Sequence, residues 1–214
     1  AGAVPVFAEI DETLCLSADA LSETLSDKTR AVLPVHMCGA MARIDEIKAV
    51  CDRKGIQLLE DTCQSLGSTY RGKALGSFGE AGCFSFDPVK TITCGDGGMF
   101  VTSDEQLYRR CFAMHDQGHS PNRRGVEVGA RPMLGLNFRM TEVQGAVLLA
   151  QLRKLDRIRS HLRDNRDVVQ ELLAELEQDA ASSVSKDDGM LVIKHLYIEP
   201  RMTPLNLYLR DADD

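Results

Sequence analysis

Apolar and polar positions follow two different periods along this chain, and the switches between them mark out its elements. Val4 to Ala8 predicts a short strand, with Pro5 at its start or on a sheet edge. Ser17 or Asp19 caps a short helix running to Leu25, and Asp27-Lys28-Thr29 breaks it. Arg30 to Val35 is apolar without alternation, as in a strand covered on both faces. Ala42 to Lys54 is an amphipathic helix, with Ile44, Ile47 and Cys51 on one face and Gly55 as terminator. Ile56 to Leu59, Ala81 to Phe86 and Gly98 to Thr102 are further strands, and Asp104 caps a helix reaching Met114. From Thr141 to Gln178 leucines and valines recur with a heptad spacing (Leu148, Leu155, Leu162, Val169, Leu176). One helix of that length spans roughly 55 Å, so it is expected to be bent, broken or packed across a subunit boundary. Met190 to Ile198 reads as a last strand. The strand-helix-strand alternation predicts an α/β fold with a mostly parallel sheet.

The chemistry concentrates between Ile56 and Gly98. One apolar run ends in Glu60-Asp61, with Gln64 three residues on; a glycine-rich loop follows (Gly67, Gly72, Gly76, Gly79). The next run carries Ser85 and empties into Asp87-Pro88-Val89-Lys90, where Lys90 is the only lysine between Lys73 and Lys154. Strand ends of open α/β sheets are where ligands sit. A lysine there, with a carboxylate from a neighbouring strand end, is the pattern that a Schiff-base cofactor needs. In pyridoxal phosphate chemistry the lysine amine holds the aldehyde, and a carboxylate such as Asp61 keeps the ring nitrogen protonated. Gln64 is available to the phenolic oxygen and Ser85 to the phosphate. Taken singly, each of these residues reads equally as a cap, a turn former or a solvated charge.

As an ordered set they resemble the DegT/DnrJ/StrS family of sugar aminotransferases. The likeness rests on Glu60-Asp61-Thr62-Cys63-Gln64-Ser65-Leu66-Gly67, Phe84-Ser85-Phe86-Asp87-Pro88-Val89-Lys90 and Gly95-Asp96-Gly97-Gly98-Met99. Gly2 to Phe7, Val35 to Gly39 and Gly135 to Met140 agree in the flanks, and the resemblance runs to about residue 178. The chain departs from the pattern at Asp96 (usually Glu), at Asp87 (usually aromatic) and at Thr62 and Cys63 (usually small). The resemblance implies a three-layer α/β/α sheet of the pyridoxal phosphate-dependent transferase kind. It implies a partial cofactor domain over 1–140, a connecting helix over 141–178, and a remnant of a small domain over 179–214. A complete member would carry an upstream phosphate turn and a ring-stacking aromatic, so the chain is expected to be a fragment, a processed product or a degenerate copy.

The resemblance also implies the roles. Lys90 and Asp61 are catalytic; Asp61, Gln64, Ser85, Lys90 and Asn137 bind pyridoxal 5'-phosphate. Asn137 either reaches the phosphate across a two-fold interface, which would make a homodimer with shared sites, or caps the helix behind it. The glycine- and proline-rich stretch 118–136 reads either as a solvated loop or as a flap whose Arg123, Arg124 and Arg131 meet an anionic substrate. His36, at a strand end, is a further substrate-side candidate, with a packing role as its alternative. The expected reaction moves an amino group from glutamate or glutamine to a keto-sugar or nucleotide-linked keto-sugar. A dehydratase of the same family would have His in place of Lys90. A truncated paralogue acting as a regulatory or assembly partner is the non-enzymatic alternative.

Composition narrows the classes. Hydrophobic content of 43% and charged content of 27% are those of a soluble globular protein. A net charge of −7 argues against nucleic acid, whose phosphates need clustered cations. No run is long and apolar enough to span a bilayer. Seven scattered cysteines with no C-x-x-C pair fit buried thiols in a reducing cytoplasm rather than zinc or disulfides. His115 and His119 are separated by Gly118, which argues for a helix end and against a shared metal.

Overall fold

A computed structural model of the chain describes residues 2–121 and 131–183, with side chains described to Leu176. Its central sheet has the order β1-β2-β5-β6, formed by Ala31–Val32, Gln57–Asp61, Ala81–Ser85 and Gly98–Val101. The first three strands run parallel, Leu59 opposite Ala81 and Asp61 opposite Cys83, while β6 returns antiparallel to β5 with Ser85 opposite Gly98. A separate two-stranded ribbon, β3 (Thr69–Tyr70) and β4 (Lys73–Ala74), closes the glycine-rich loop.

The helices form for local reasons that the sequence announces. Helix α1 (Ala18–Thr24) is capped by the Ser17 hydroxyl, which accepts from the Ala20 amide. Helix α2 (Ile44–Lys54) has acids in its first turn and Arg53 and Lys54 in its last, complementing the helix dipole. It stops at Gly55, which takes the left-handed conformation with φ 65°. Helix α3 (Glu105–His115) starts at Asp104, whose carboxylate accepts from the Gln106 and Leu107 amides.

Two apolar clusters hold the elements. One packs Leu21, Val32, Ile44, Ile47, Cys51 and Leu58 between α1, α2 and the sheet. The other gathers Phe86, Ile92, Cys94 and Leu148, with Met140, Leu155 and Ile158 against them. This second cluster ties the loop that carries Lys90 to helices α4 (Glu142–Leu152) and α5 (Leu155–Ser183). The long C-terminal helix is therefore broken, at Arg153-Lys154, where Lys154 donates to the Gln151 carbonyl.

The N-terminal expectation fails. Residues 4–8 form no strand, and Val4, Val6 and Phe7 are 84%, 72% and 91% exposed. β-propensity alone does not order a segment when no described strand pairs with it. The predicted strand at 190–198 lies outside the described residues, as do Arg123 and Arg124. No helix among the described residues is long and apolar enough to cross a membrane.

Candidate active site

The site is built from the C-terminal ends of two adjacent parallel strands. β2 ends in Asp61 and β5 in Ser85, so the register that pairs Asp61 with Cys83 delivers both ends to one edge of the sheet. Behind Asp61 the chain turns at once. The Thr62 hydroxyl donates to the Cys83 carbonyl at 2.8 Å and the Ser65 hydroxyl to the His36 carbonyl at 2.8 Å. Asp61 Oδ1 accepts the Cys63 amide at 3.0 Å, leaving Oδ2 for another partner. Gln64 Oε1 accepts the Cys38 amide at 2.9 Å, so its own amide hydrogens are the donors it has to offer. Cys38 sits at φ 52°, in the left-handed region, to make that bond.

After Ser85 the backbone makes a tight turn. Val89 donates to Asp87 Oδ1 at 2.9 Å and Lys90 to the Asp87 carbonyl at 3.2 Å, which brings Lys90 back towards Ser85. The Cys63 thiol, pushed up to about 12, reports how near these parts lie. Burial raises it most, the Asp61 carboxylate raises it further, and the Lys90 charge opposes them. A thiol this far above neutrality stays protonated and is a poor nucleophile.

Glu60 is the residue that the sequence reading passed over. It is fully buried, and its carboxylate accepts from Phe78 at 2.6 Å, Gly76 at 2.8 Å and Gly79 at 3.0 Å. His36 Nε2 stands 3.3 Å away. Because His36 Nδ1 accepts from the Ala42 amide at 3.2 Å, the ring proton sits on Nε2 and is given to Glu60. Burial alone would raise the Glu60 carboxyl; the His36 bond and the three backbone amides outweigh it and hold it below the usual range. The glycine-rich loop is therefore pinned to β2 by one ionised side chain. His36 has no exposed surface and both ring nitrogens engaged, so its substrate-side role is corrected to the packing alternative: it orients Glu60. A signal existed in the sequence, since Glu60 shares the strand face of Leu58.

Two glycines allow this packing. A Cβ on Gly79 would lie 2.1 Å from the Leu58 carbonyl oxygen, and one on Gly82 would lie 2.3 Å from that of Gly76.

The Asn137 segment joins the end of α3 to α4, with Asn137 bridged to Asp116. Leu136 donates to the Met114 carbonyl and Phe138 to that of His115, fastening the segment to the end of α3. Gln144 Nε2 donates to the Asp96 carbonyl at 2.9 Å, and Met140 Cε takes the space where a Gly97 side chain would stand. Helix α4 is capped by Thr141, in a reciprocal box with Gln144. Asn137 is not the cap. It is exposed, and its Oδ1 accepts from Arg139 Nε at 3.2 Å. Arg131 is also exposed.

Comparison with known proteins decides the affiliation. The model of the DegT/DnrJ/EryC1/StrS aminotransferase family matches residues 1–202. The chain belongs to this family. Members similar to it include a pleiotropic regulatory protein of Geobacillus stearothermophilus, 33% identical over 99% of this chain and 56% of that protein. A GDP-perosamine synthase of Caulobacter vibrioides is 36% identical over 92% of this chain and 51% of the relative. An L-glutamine:2-deoxy-scyllo-inosose aminotransferase of Streptomyces kanamyceticus is 38% identical over 81% and 42%. Among solved structures, an aminotransferase of Psychrobacter cryohalolentis matches with a TM-score of 0.77 and 34% identity, over 84% of this chain and 47% of that one. An E. coli GDP-4-keto-6-deoxy-D-mannose-3-dehydratase with bound hydrated pyridoxal phosphate matches with a TM-score of 0.66 and 32% identity, over 74% and 44%. The fold is accordingly that of the pyridoxal phosphate-dependent aminotransferases, and the chain spans about half the length of the curated relatives it matches.

The family's cofactor is pyridoxal 5'-phosphate. The donor set fits it: a carboxylate on Asp61, amide hydrogens on Gln64, a hydroxyl on Ser85, and one amine, Lys90, in the turn after β5.

Proposed function

We propose that this chain carries the cofactor half of a pyridoxal phosphate-dependent sugar aminotransferase. The observation that supports the reading is that β2 and β5 run parallel and end side by side, in Asp61 and Ser85, with Gln64 and Lys90 in the turns that follow. When bound, the cofactor supplies an aldehyde to receive an amino group and a ring that draws electrons from the carbon being deprotonated. Lys90 Nζ would hold the cofactor at its aldehyde carbon and would carry a proton at the substrate carbon. Asp61 Oδ2 holds the ring nitrogen protonated, and the Cys63 amide on Oδ1 fixes its plane. Gln64 donates to the phenolic oxygen, and Ser85 donates to the phosphate.

The amino donor is glutamate or glutamine and the acceptor a keto-sugar or nucleotide-linked keto-sugar. Relatives named for glutamine as donor and for a GDP-linked amino sugar as product support this assignment. In this reading Arg123, Arg124 and Arg131 meet the acceptor's anionic groups. The enzyme is a cytoplasmic homodimer whose Asn137 completes the partner's phosphate site, a role left open to it because Thr141 performs the capping. The decisive test is the visible spectrum of the purified chain with added cofactor. A band lost in Lys90→Ala supports the reading, and no band in the unchanged chain refutes it. The relative named as a pleiotropic regulatory protein favours a second reading, a non-catalytic regulatory partner, which predicts no such band.

A further inference from the structure

One charge beside the lysine has no part in that scheme. Asp87 Oδ2 lies 3.7 Å from Lys90 Nζ and 3.4 Å from Ser85 Oγ, while Oδ1 takes the Val89 amide at 2.9 Å. The Ser85 hydroxyl also accepts from the Asp87 amide at 3.4 Å. The carboxylate therefore touches both groups assigned to the cofactor on this loop, the phosphate-side hydroxyl and the amine. Both side chains of the pair are largely covered, with Lys90 20% and Asp87 36% exposed.

Resting on the reading of Lys90 and Ser85 given above, we propose that Asp87 is a built-in anion that occupies these two groups in the unloaded chain and that a phosphorylated cofactor loads by displacing it. Geometry makes the competition direct. A phosphate oxygen accepting from Ser85 Oγ lies about 2.7 Å from it. With Asp87 Oδ2 3.4 Å from that same atom, the two anions come within roughly 6 Å unless the carboxylate swings away. Phosphate carries between one and two negative charges near neutrality, and like charges at this range repel. The neutral aromatic that the resemblance leads one to expect at this position offers no such opposition. Val89 anchors only Oδ1, so the Asp87 side chain is held in place by its own turn while Oδ2 faces Ser85 and Lys90.

The test is Asp87→Asn, which keeps an oxygen for the Val89 amide and removes the charge. Equilibrium binding of pyridoxal 5'-phosphate and of pyridoxal to the 214-residue chain is measured beside the rate at which acetic anhydride labels Lys90 in the unloaded protein. The variant should bind the phosphorylated form between about threefold and thirtyfold more tightly, the range for a partly exposed charge contact. Its gain for pyridoxal should be smaller, and Lys90 should be labelled faster. Unchanged affinity for the phosphorylated form, or an equal gain for pyridoxal, overturns the proposal. If the unchanged chain forms no Lys90-dependent adduct, the reading of Lys90 is what fails. The labelling rate then decides on Asp87 alone, and equal rates in the two proteins overturn the pairing.

Discussion

Replacing Glu60 with Gln asks how much of the site's scaffold hangs on one side chain. The substitution keeps the shape but turns one oxygen into an NH2 group. Whichever way the amide is oriented, two donors lose their acceptor: either the Phe78 and Gly79 amides, or the Gly76 amide and His36 Nε2. His36 has no escape by switching its proton, because Nδ1 is committed to the Ala42 amide. A buried donor left unpaired costs about 1–3 kcal/mol, so Glu60→Gln should lose about 2–6 kcal/mol, a large fraction of a typical domain's stability. Urea unfolding followed by far-ultraviolet circular dichroism at pH 7 measures it. The pH dependence gives a second, independent reading. Since the folded carboxyl is held low, its contribution is fully present above the unfolded value of roughly 4.3. It is lost as pH falls through the depressed folded value. The unchanged chain should thus lose stability in that acid window more steeply than Glu60→Gln. A variant within about 0.5 kcal/mol of the parent, small beside the expected loss, would refute the reasoning; so would an identical acid limb.

Further expectations concern the site and its supports. Asp61→Asn should retain cofactor but lose at least about a hundredfold in turnover, equivalent to about 2.7 kcal/mol of barrier; near-normal turnover removes Asp61 from the ring nitrogen. Asn137→Ala should keep its helix content, because Thr141 caps α4, yet lose cofactor affinity in the dimer. Sedimentation with and without cofactor tests this, and an affinity independent of protein concentration rules out a shared site. Arg131→Ala should raise the Michaelis constant for the sugar and spare the half-reaction with the amino donor; equal damage to both makes the loop structural. Gly82→Ala should fold poorly, since its Cβ meets the Gly76 carbonyl at 2.3 Å, whereas Gly145→Ala, with open space around it in α4, should be neutral or stabilising by up to about 1 kcal/mol in thermal melts.

Where an element is closed by its own residues, the sequence is enough. Ser17, Asp104 and Gly55 each make the cap that their position suggests, so α1, α3 and α2 are placed to within a residue or two. Ordering of Asp61, Gln64, Ser85 and Lys90 along the chain likewise pointed to two neighbouring strand ends. What remained hidden depends on partners distant in sequence. The break at Arg153-Lys154 leaves the leucine spacing intact, since Leu148 and Leu155 pack into the same cluster from either side of it. The direction of β6 is set by the return from the Lys90 loop, which hydropathy does not encode. Val4 to Phe7 carry strand-forming residues, but nothing in their own pattern says whether a neighbour is present. Glu60 was hidden by its neighbour: beside an acid with obvious chemistry, one whose work is to hold Gly76, Phe78 and Gly79 in place is visible only once the loop is folded over it.

The pair Glu60-Asp61 also makes β2 sensitive to a kind of change that hydrophobicity would not detect. Successive residues of a strand face opposite ways, so one carboxylate enters the scaffold and the other reaches the ligand edge. A single-residue insertion or deletion between Gly55 and Glu60 would reverse the face that each of them takes. A deletion would bring Asp61 to the place that faces the three backbone amides and Thr62 to the ligand edge, whereas an insertion would bring Glu60 to the ligand edge and Leu59 to the place that faces the amides. Glu60 and Asp61 would still be carboxylates, at the end of the same strand, in a chain of nearly the same composition. In this part of the molecule, reading frame along the strand matters more than residue identity, and length variation in the turn before β2 should be tolerated far less than substitution within it.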